Sequence, residues 1–154
     1  MFESARFAKQ EDLGTFRTLH AMSRSLIADH KGGDYWLDKE AFQNSGESLF
    51  IEVQQSESSV CIMGLYDDYP VGFLIGEIHN LLGAIAVDIR EVFVEPDARS
   101  VGVGETMMDA LSEWAHTQSA TYLTSRALPG DRALKNFFER YRITARLIEV
   151  VREL

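Results

Sequence analysis

Cysteine, basic residues and long apolar runs are all scarce in this chain, and each scarcity removes a class of protein. The one cysteine, Cys61, rules out an intrachain disulfide and a cysteine-based metal cluster. No stretch approaches the ~20 apolar residues of a membrane span. The opening MFESARFAKQEDL lacks the basic and apolar regions of a secretory leader, so a cytoplasmic location is expected. Lys and Arg number 15 against 24 Asp and Glu, for a net charge of −9. That balance argues against nucleic acid, whose phosphates require a basic footprint. It serves solubility, and it also suits a cationic partner, because an acidic surface concentrates amines. There are no repeats, low-complexity segments or obvious linkers, and the four histidines (His20, His30, His79, His116) show no metal-ligand spacing. They read as solvated or helix-surface residues. What is present is ordinary globular composition, and 154 residues suit a single domain, 1–154, with one sizeable core.

The pattern of apolar residues predicts a mixed α/β order. Glu3–Phe7 alternates like a short strand. Gln10–Asp29 reads as helix, with Leu13, Phe16, Leu19, Met22 and Leu26 recurring every three or four residues. Lys31–Asp34 ends it, Tyr35 and Trp36 fall in a connection, and Leu37–Gln43 suits a second short helix. The polar run Gln54–Ser59 reads as a loop. Val60–Tyr66 and Val71–Ile78 flank the turn signal Asp67–Pro70 and predict an antiparallel hairpin. Ala84–Val94 is the next strand, and its alternation slips. Ile85, Val87 and Ile89 share one phase, while Val92 and Val94 take the other. A β-bulge at Arg90–Glu91 produces such a slip, as does a central strand buried on both faces. A helix from Gly102 to Thr117 follows, then a strand at Thr121–Arg126. A helix capped by Asp131 carries Leu134, Phe137, Phe138 and Tyr141, and Leu147–Val151 closes the chain as a strand. The strand–helix–strand unit from Ala84 to Arg126 calls for a right-handed parallel crossover.

The most informative stretch is DIREVFVEPDARSVGVGETMMDALSEWA, Asp88–Ala115. A strand leads through a turn and two glycines, Gly102 and Gly104, into a helix N-terminus. Such a terminus offers free N–H groups and the positive end of the helix dipole to an anion. No Lys-Ser or Lys-Thr follows the glycines, which excludes the P-loop of nucleotide hydrolases. Met107 stands where a dinucleotide fingerprint needs its third glycine.

The longer string Val92-Phe93-Val94-x-Pro96-x-x-Arg99-x-x-Gly102-x-Gly104 resembles the donor-binding motif of the GNAT family of N-acetyltransferases. Arg6–Leu13 and Ala133–Tyr141 are similar to that family's first strand with its helix entry and to its fourth helix, so the likeness spans nearly the whole chain. The resemblance implies an α/β GNAT fold. That fold is a mixed, mostly antiparallel sheet of about six to seven strands with a central parallel pair, flanked by about four helices. It implies acetyl-CoA as co-substrate, and a primary amine of a small molecule or peptide as acceptor. The backbone of Val92, Phe93 and Val94 would pair with the pantetheine arm. Arg99, Ser100, Val101, Gly102, Val103, Gly104, Glu105 and Thr106 would hold the pyrophosphate. The thioester would lie where a bulge splays the fourth strand from the fifth.

Acetyl transfer to an amine needs a base, an oxyanion donor and a proton for the leaving thiolate. Asp88 and Glu91 are the base candidates, with Glu77 a third. Asp88 stands fourteen residues before Gly102, the place of a catalytic acid in some of the resembled enzymes. Asp88 and Glu91 also suit exposed strand-edge positions or ion pairs with Arg90. The family's usual tyrosine acid is replaced by Phe138, which has no proton to give. Tyr141, one turn on, or solvent would serve instead. Direct attack needs no enzyme nucleophile, so Cys61 is expected in the core. Tyr35 and Trp36 fall where the resembled enzymes wall the acceptor, and would suit cation–π contact or plain packing. Arg142-Ile143 replaces the usual Gly-Phe, and the short remainder implies reduced final strands, leaving an open acceptor side or an edge for a homodimer. An acyl-CoA-binding sensor or structural module without catalysis is the competing class.

Overall fold

The computed structural model describes residues 2–154. Two tight turns organise its sheet. Asp67 and Asp68 (φ 48° and 66°) join β2 (Ser59–Tyr66) to β3 (Tyr69–Leu81), and Leu82 and Gly83 (φ 51° and 76°) join β3 to β4 (Ala84–Val94). Paired left-handed residues give the mirror-type turns whose twist matches that of hairpin strands. β1 (Glu3–Phe7) adds antiparallel to β2, and β5 (Tyr122–Thr124) adds parallel to β4, giving the order β1-β2-β3-β4-β5.

Helices cover both faces. On one, α1 (Leu13–Ala28) and α3 (Gly46–Gln55) set Phe16, Leu19, Leu49, Phe50 and Val53 against Cys61, Met63, Phe73, Ile75 and Phe93. On the other, α4 (Val103–Thr117) and α5 (Arg132–Arg140) set Met107, Met108, Leu111 and Phe138 against Ile62, Leu74, Val87 and Ile89. α4 lies close to the sheet because Gly64 and Gly76 lack side chains. A Cβ there would come within 2.5 Å of Val103 and 2.8 Å of Leu111. The remaining helix, α2 (Gly33–Lys39), packs on α1.

The phase slip in β4 is a bulge. Ile75 pairs with Glu91 and Gly76 with Ile89, so Arg90 is the extra residue. Val92 and Val94 thereby rejoin Val87 and Ile89 on the α4 face.

The architecture departs from the sequence expectation in several places. Among the described residues the sheet has five strands, and five α-helices surround it. Leu147–Val151 is not a strand. Its residues have strand propensity but no ladder partner, and Leu147, Ile148, Val150 and Val151 are 74–90% exposed. β5 is shorter than Thr121–Arg126 because β4 bends at the bulge, and pairing stops at Asp88↔Thr124. α2 begins at Gly33, so Tyr35 and Trp36 are helical. α3 has no counterpart in the sequence reading, and Gln54 and Gln55 belong to its last turn rather than to a loop. Among the described residues no helix is long and apolar enough to cross a membrane.

Candidate active site

β4 and β5 run together over Ala86–Asp88 and then part. The Ser125 hydroxyl donates to the Ile89 carbonyl at 2.8 Å, the last contact before a cleft opens between them. Ile89–Val92 form one wall of that cleft, Ser125–Leu128 the other, and Ser23, Ile27 and Trp36 close it from α1 and α2. The strand edge facing the gap has a defined polarity. The Glu95 amide donates to the Val71 carbonyl, so antiparallel alternation commits Phe93 to β3 and turns the amide and carbonyl of Val92 and Val94 outward. The Arg99 Nε donates to the Val94 carbonyl at 2.8 Å, and its guanidinium lies 5.7 Å from the Phe93 ring. Arg99 thus ties the following loop back to the strand.

That loop ends at an open helix terminus. Ser100 (φ 70°) and Gly102 (φ 90°) bend the chain, and Gly102 occupies the cap position of α4. No side chain among the described residues caps it. The Thr106 amide bonds to the Gly102 carbonyl at 3.1 Å, so the amides of Val103, Gly104 and Glu105 precede the first helical acceptor. Gly102 is required by its φ. Gly104 is required by packing, since a Cβ there would approach the Phe137 ring to 2.9 Å. The Thr106 hydroxyl donates to the Val103 carbonyl at 2.8 Å, and Glu105 pairs with Arg140 at 3.0 Å. Val101 is exposed at the loop's crest.

Of the candidate catalytic side chains, Glu91 is the one that lines the cleft. It is buried, and both its oxygens are engaged. Arg24 donates to Oε2 at 2.9 Å, and His20 Nε2 lies 3.1 Å from Oε1. The Gly46 amide donates to His20 Nδ1 at 3.4 Å, which leaves the ring proton on Nε2, directed at Glu91. Burial alone would raise the Glu91 carboxyl. The hydrogen bonds from His20 and Arg24 outweigh it and hold the group below the usual range.

Asp88 lies deeper. It accepts from Thr124 Oγ1 at 2.6 Å and from Arg126 Nη1 at 3.1 Å, and Thr124 is in turn 3.0 Å from His79 Nε2. Glu77 accepts from Arg90 Nη1 at 2.9 Å. Tyr141 follows α5, with its ring 5.4 Å from that of Phe137. Burial, then the nearby acids Asp109 and Glu105, raise its phenol, with Arg140 opposing. Phe138 is in the core. Cys61 is 2% exposed beneath α1 and α3, and burial pushes its thiol up.

The structure brings in residues that the sequence reading passed over. His20 is 1% exposed and stacked on Phe16, not solvated, and its place in the stripe Phe16, Leu19, His20, Ser23 is the signal that could have found it. Arg24 is one turn further along, above Trp36 at 5.8 Å. Arg90 stacks 4.0 Å from the Phe42 ring and donates to the Glu40 carbonyl at 3.1 Å. Arg126 bridges Asp88 and Glu40. Tyr35 does not line the cleft and donates its hydroxyl to Glu149 at 2.9 Å.

The model of the acetyltransferase (GNAT) family matches residues 23–142. No curated protein matches the sequence. Among solved structures, a Bacillus halodurans protein determined as a tetramutant superposes with TM-score 0.81 at 16% identity, covering 97% of this chain and 99% of that one. An aminoglycoside N-acetyltransferase, AAC(6')-Iy, in complex with CoA gives TM-score 0.74 at 18% identity over 99% and 95% of the two chains. A ribosomal-protein-alanine N-acetyltransferase from Brucella melitensis biovar Abortus gives 0.71 at 17% identity over 100% of both. At these identities the likeness is one of fold.

Proposed function

The chain belongs to the acetyltransferase (GNAT) family, and we propose that it transfers the acetyl group of acetyl-CoA to a primary amine of a small molecule or peptide. The observation that carries this reading is the juxtaposition of three features along one strand edge. These are the gap where β4 leaves β5, the outward polar groups of Val92 and Val94, and the uncapped α4 terminus beyond them. The pantetheine arm adds to the β4 edge as a further strand. The loop from Arg99 to Gly102 and the amides of Val103–Glu105 receive the pyrophosphate, which favours the positive end of the helix dipole. Arg99 shapes that loop through its bond to Val94. The thioester then reaches the gap beside Glu91.

There the amine nitrogen attacks the thioester carbon. The carbonyl oxygen becomes an oxyanion, and the outward Val92 amide is positioned on the open edge to donate to it. The attack forms the C–N bond; collapse restores the carbonyl, breaks the C–S bond and releases CoA thiolate. Glu91 stays ionised under its two donors. It draws the acceptor ammonium toward the gap and orients the water that carries the amine proton away to solvent, because a carboxylate held ionised with both oxygens engaged is a poor direct base. Asp88, held by Thr124 and Arg126, fixes β4 to β5 just below the splay. The thiolate, with a parent pKa of about 8.5, leaves readily and is protonated by solvent or by the Tyr141 phenol. Solved neighbours of the fold include enzymes named for aminoglycoside and for ribosomal-protein acceptors, which supports both a small molecule and a peptide as acceptor class. Residues 1–154 act as one domain, in the cytoplasm.

A second reading has its own observation. Both Asp88 and Glu91 already have charged partners, which suits an acyl-CoA-binding module without turnover. An amine panel with acetyl-CoA, followed for thiol release and acceptor mass, separates the two. Release with a +42 Da product (about one acetyl group) supports transfer. Binding of acetyl-CoA with no release from any amine overturns it. In a turning-over enzyme, Glu91→Gln should lower kcat about 100-fold, while Tyr141→Phe near wild-type rate would assign thiolate protonation to solvent.

A further inference from the structure

The walls of the cleft between β4 and β5 are largely apolar. Ile27 comes from α1, Trp36 from α2, Ile89 from β4, Leu128 from the segment after β5 and Leu134 from α5. Leu128 reaches over to α2, since a Cβ on Gly32, the cap residue of that helix, would lie 3.6 Å from its Cδ2. The cavity is about 60 Å³, room for roughly four to six water-sized groups. The charged part of the lining is balanced and already engaged. Two guanidiniums, Arg90 and Arg126, stand against two carboxylates, Glu91 and Asp131. Arg90 bonds to Glu77, Arg126 to Asp88 and Glu91 to Arg24, while Asp131 accepts from the Leu134 amide at 3.0 Å. The Ser125 hydroxyl is committed to the Ile89 carbonyl. A second ammonium or a row of hydroxyls entering here would give up water for few partners, which is costly. An alkyl chain or ring gains by leaving water.

We propose that the acceptor is a small monoamine bearing an apolar chain or ring, which packs against Ile27, Trp36, Leu128 and Leu134 while its nitrogen faces Glu91. This acceptor class presupposes acetyl transfer in the cleft and narrows it. Polycations are disfavoured, because a second charge would meet Arg90 or Arg126 with no excess carboxylate to offset them. Peptides are disfavoured, because the first amide would follow the amine onto an apolar wall and go unpaired. The chain's acidic surface still draws the single ammonium toward the protein.

Thiol release from acetyl-CoA should give isopentylamine a kcat/KM about 10-fold or more above that of ethylamine, and above those of spermidine, kanamycin and a peptide with N-terminal leucine. Leu128→Glu, checked for folding by circular dichroism, adds an unpaired carboxylate to the wall and should favour spermidine over isopentylamine about 10-fold more than wild type does. A binding measurement needs no turnover. With CoA in place of acetyl-CoA, isopentylamine should change the fluorescence of Trp36, and Trp36→Phe, which keeps Trp114, should abolish the change. Saturation in that measurement, without thiol release from any amine, would overturn the transfer reading while supporting a monoamine as the ligand of the cleft. A higher kcat/KM for spermidine, kanamycin or the peptide than for isopentylamine overturns the proposal. So does wild-type fluorescence indifferent to isopentylamine, or a Leu128→Glu protein with an unmoved preference.

Discussion

The two faces of β4 solve opposite problems with the same eleven residues. Toward α4 the strand presents Val87, Ile89, Val92 and Val94, an apolar row continuous with Met107 and Leu111. Toward α1 and α2 it presents Asp88, Arg90, Glu91 and Phe93, where each charged group is matched by a partner from another element. The bulge makes both arrangements possible. It returns the valines to the apolar side after a half-period slip and turns two consecutive charged residues, Arg90 and Glu91, to the other. The apolar face depends on filled volume, the polar face on completed pairs. The two should therefore fail differently.

The largest effect is expected from volume. Leu111→Ala should lower unfolding free energy by about 2–5 kcal/mol with an unchanged acid profile, read by denaturant titration at several pH values. Next comes Glu91→Ala, which strands Arg24 and His20. Arg24 is a fifth exposed, so solvent screens part of the loss, and about 2–3 kcal/mol is expected at pH 7. Its pH dependence distinguishes it. The Glu91 carboxyl is depressed in the fold, so its contribution is present above the unfolded value of about 4.3 and disappears as pH falls through the folded value. The gap between wild type and Glu91→Gln should therefore narrow below about pH 4.5. A gap constant down to pH 3 would mean that ionisation plays no part. Smaller again is Gly104→Ala, where the Phe137 ring must move, for roughly 1 kcal/mol and a weaker acetyl-CoA-induced thermal shift. Least of all, Lys39→Ala should leave the melting temperature unchanged, because the Lys39–Glu149 pair is solvent-exposed.

Strong periodicity made the centre of this molecule legible. β4 has the bounds its alternation marks, the bulge falls where the phase slips, and α4 starts within a residue of its glycine. Length and local signals were weaker elsewhere. α3 hid behind Gly46, although Leu49, Phe50 and Val53 sit at helical spacing after the cap position Ser45. His20 was misread because a histidine carries no fixed burial preference, and only its neighbours in the stripe place it inside. Ion pairs between distant segments, such as Glu91 with Arg24 or Asp88 with Arg126, have no local pattern at all. Leu147–Val151 shows the converse. Its residues are suited to a strand, but a strand is a relation between two segments, and among the described residues the second is missing.

Burial of Cys61 reaches beyond packing to the bench. The molecule's lone sulfhydryl is sealed under α1 and α3 and kept protonated, so a disulfide-exchange dye added to folded protein meets only coenzyme sulfur. Colour in that assay counts turnovers with no blank from the enzyme. In denaturant the same dye titrates one equivalent per opened chain, making Cys61 an internal standard for how much of the preparation was folded.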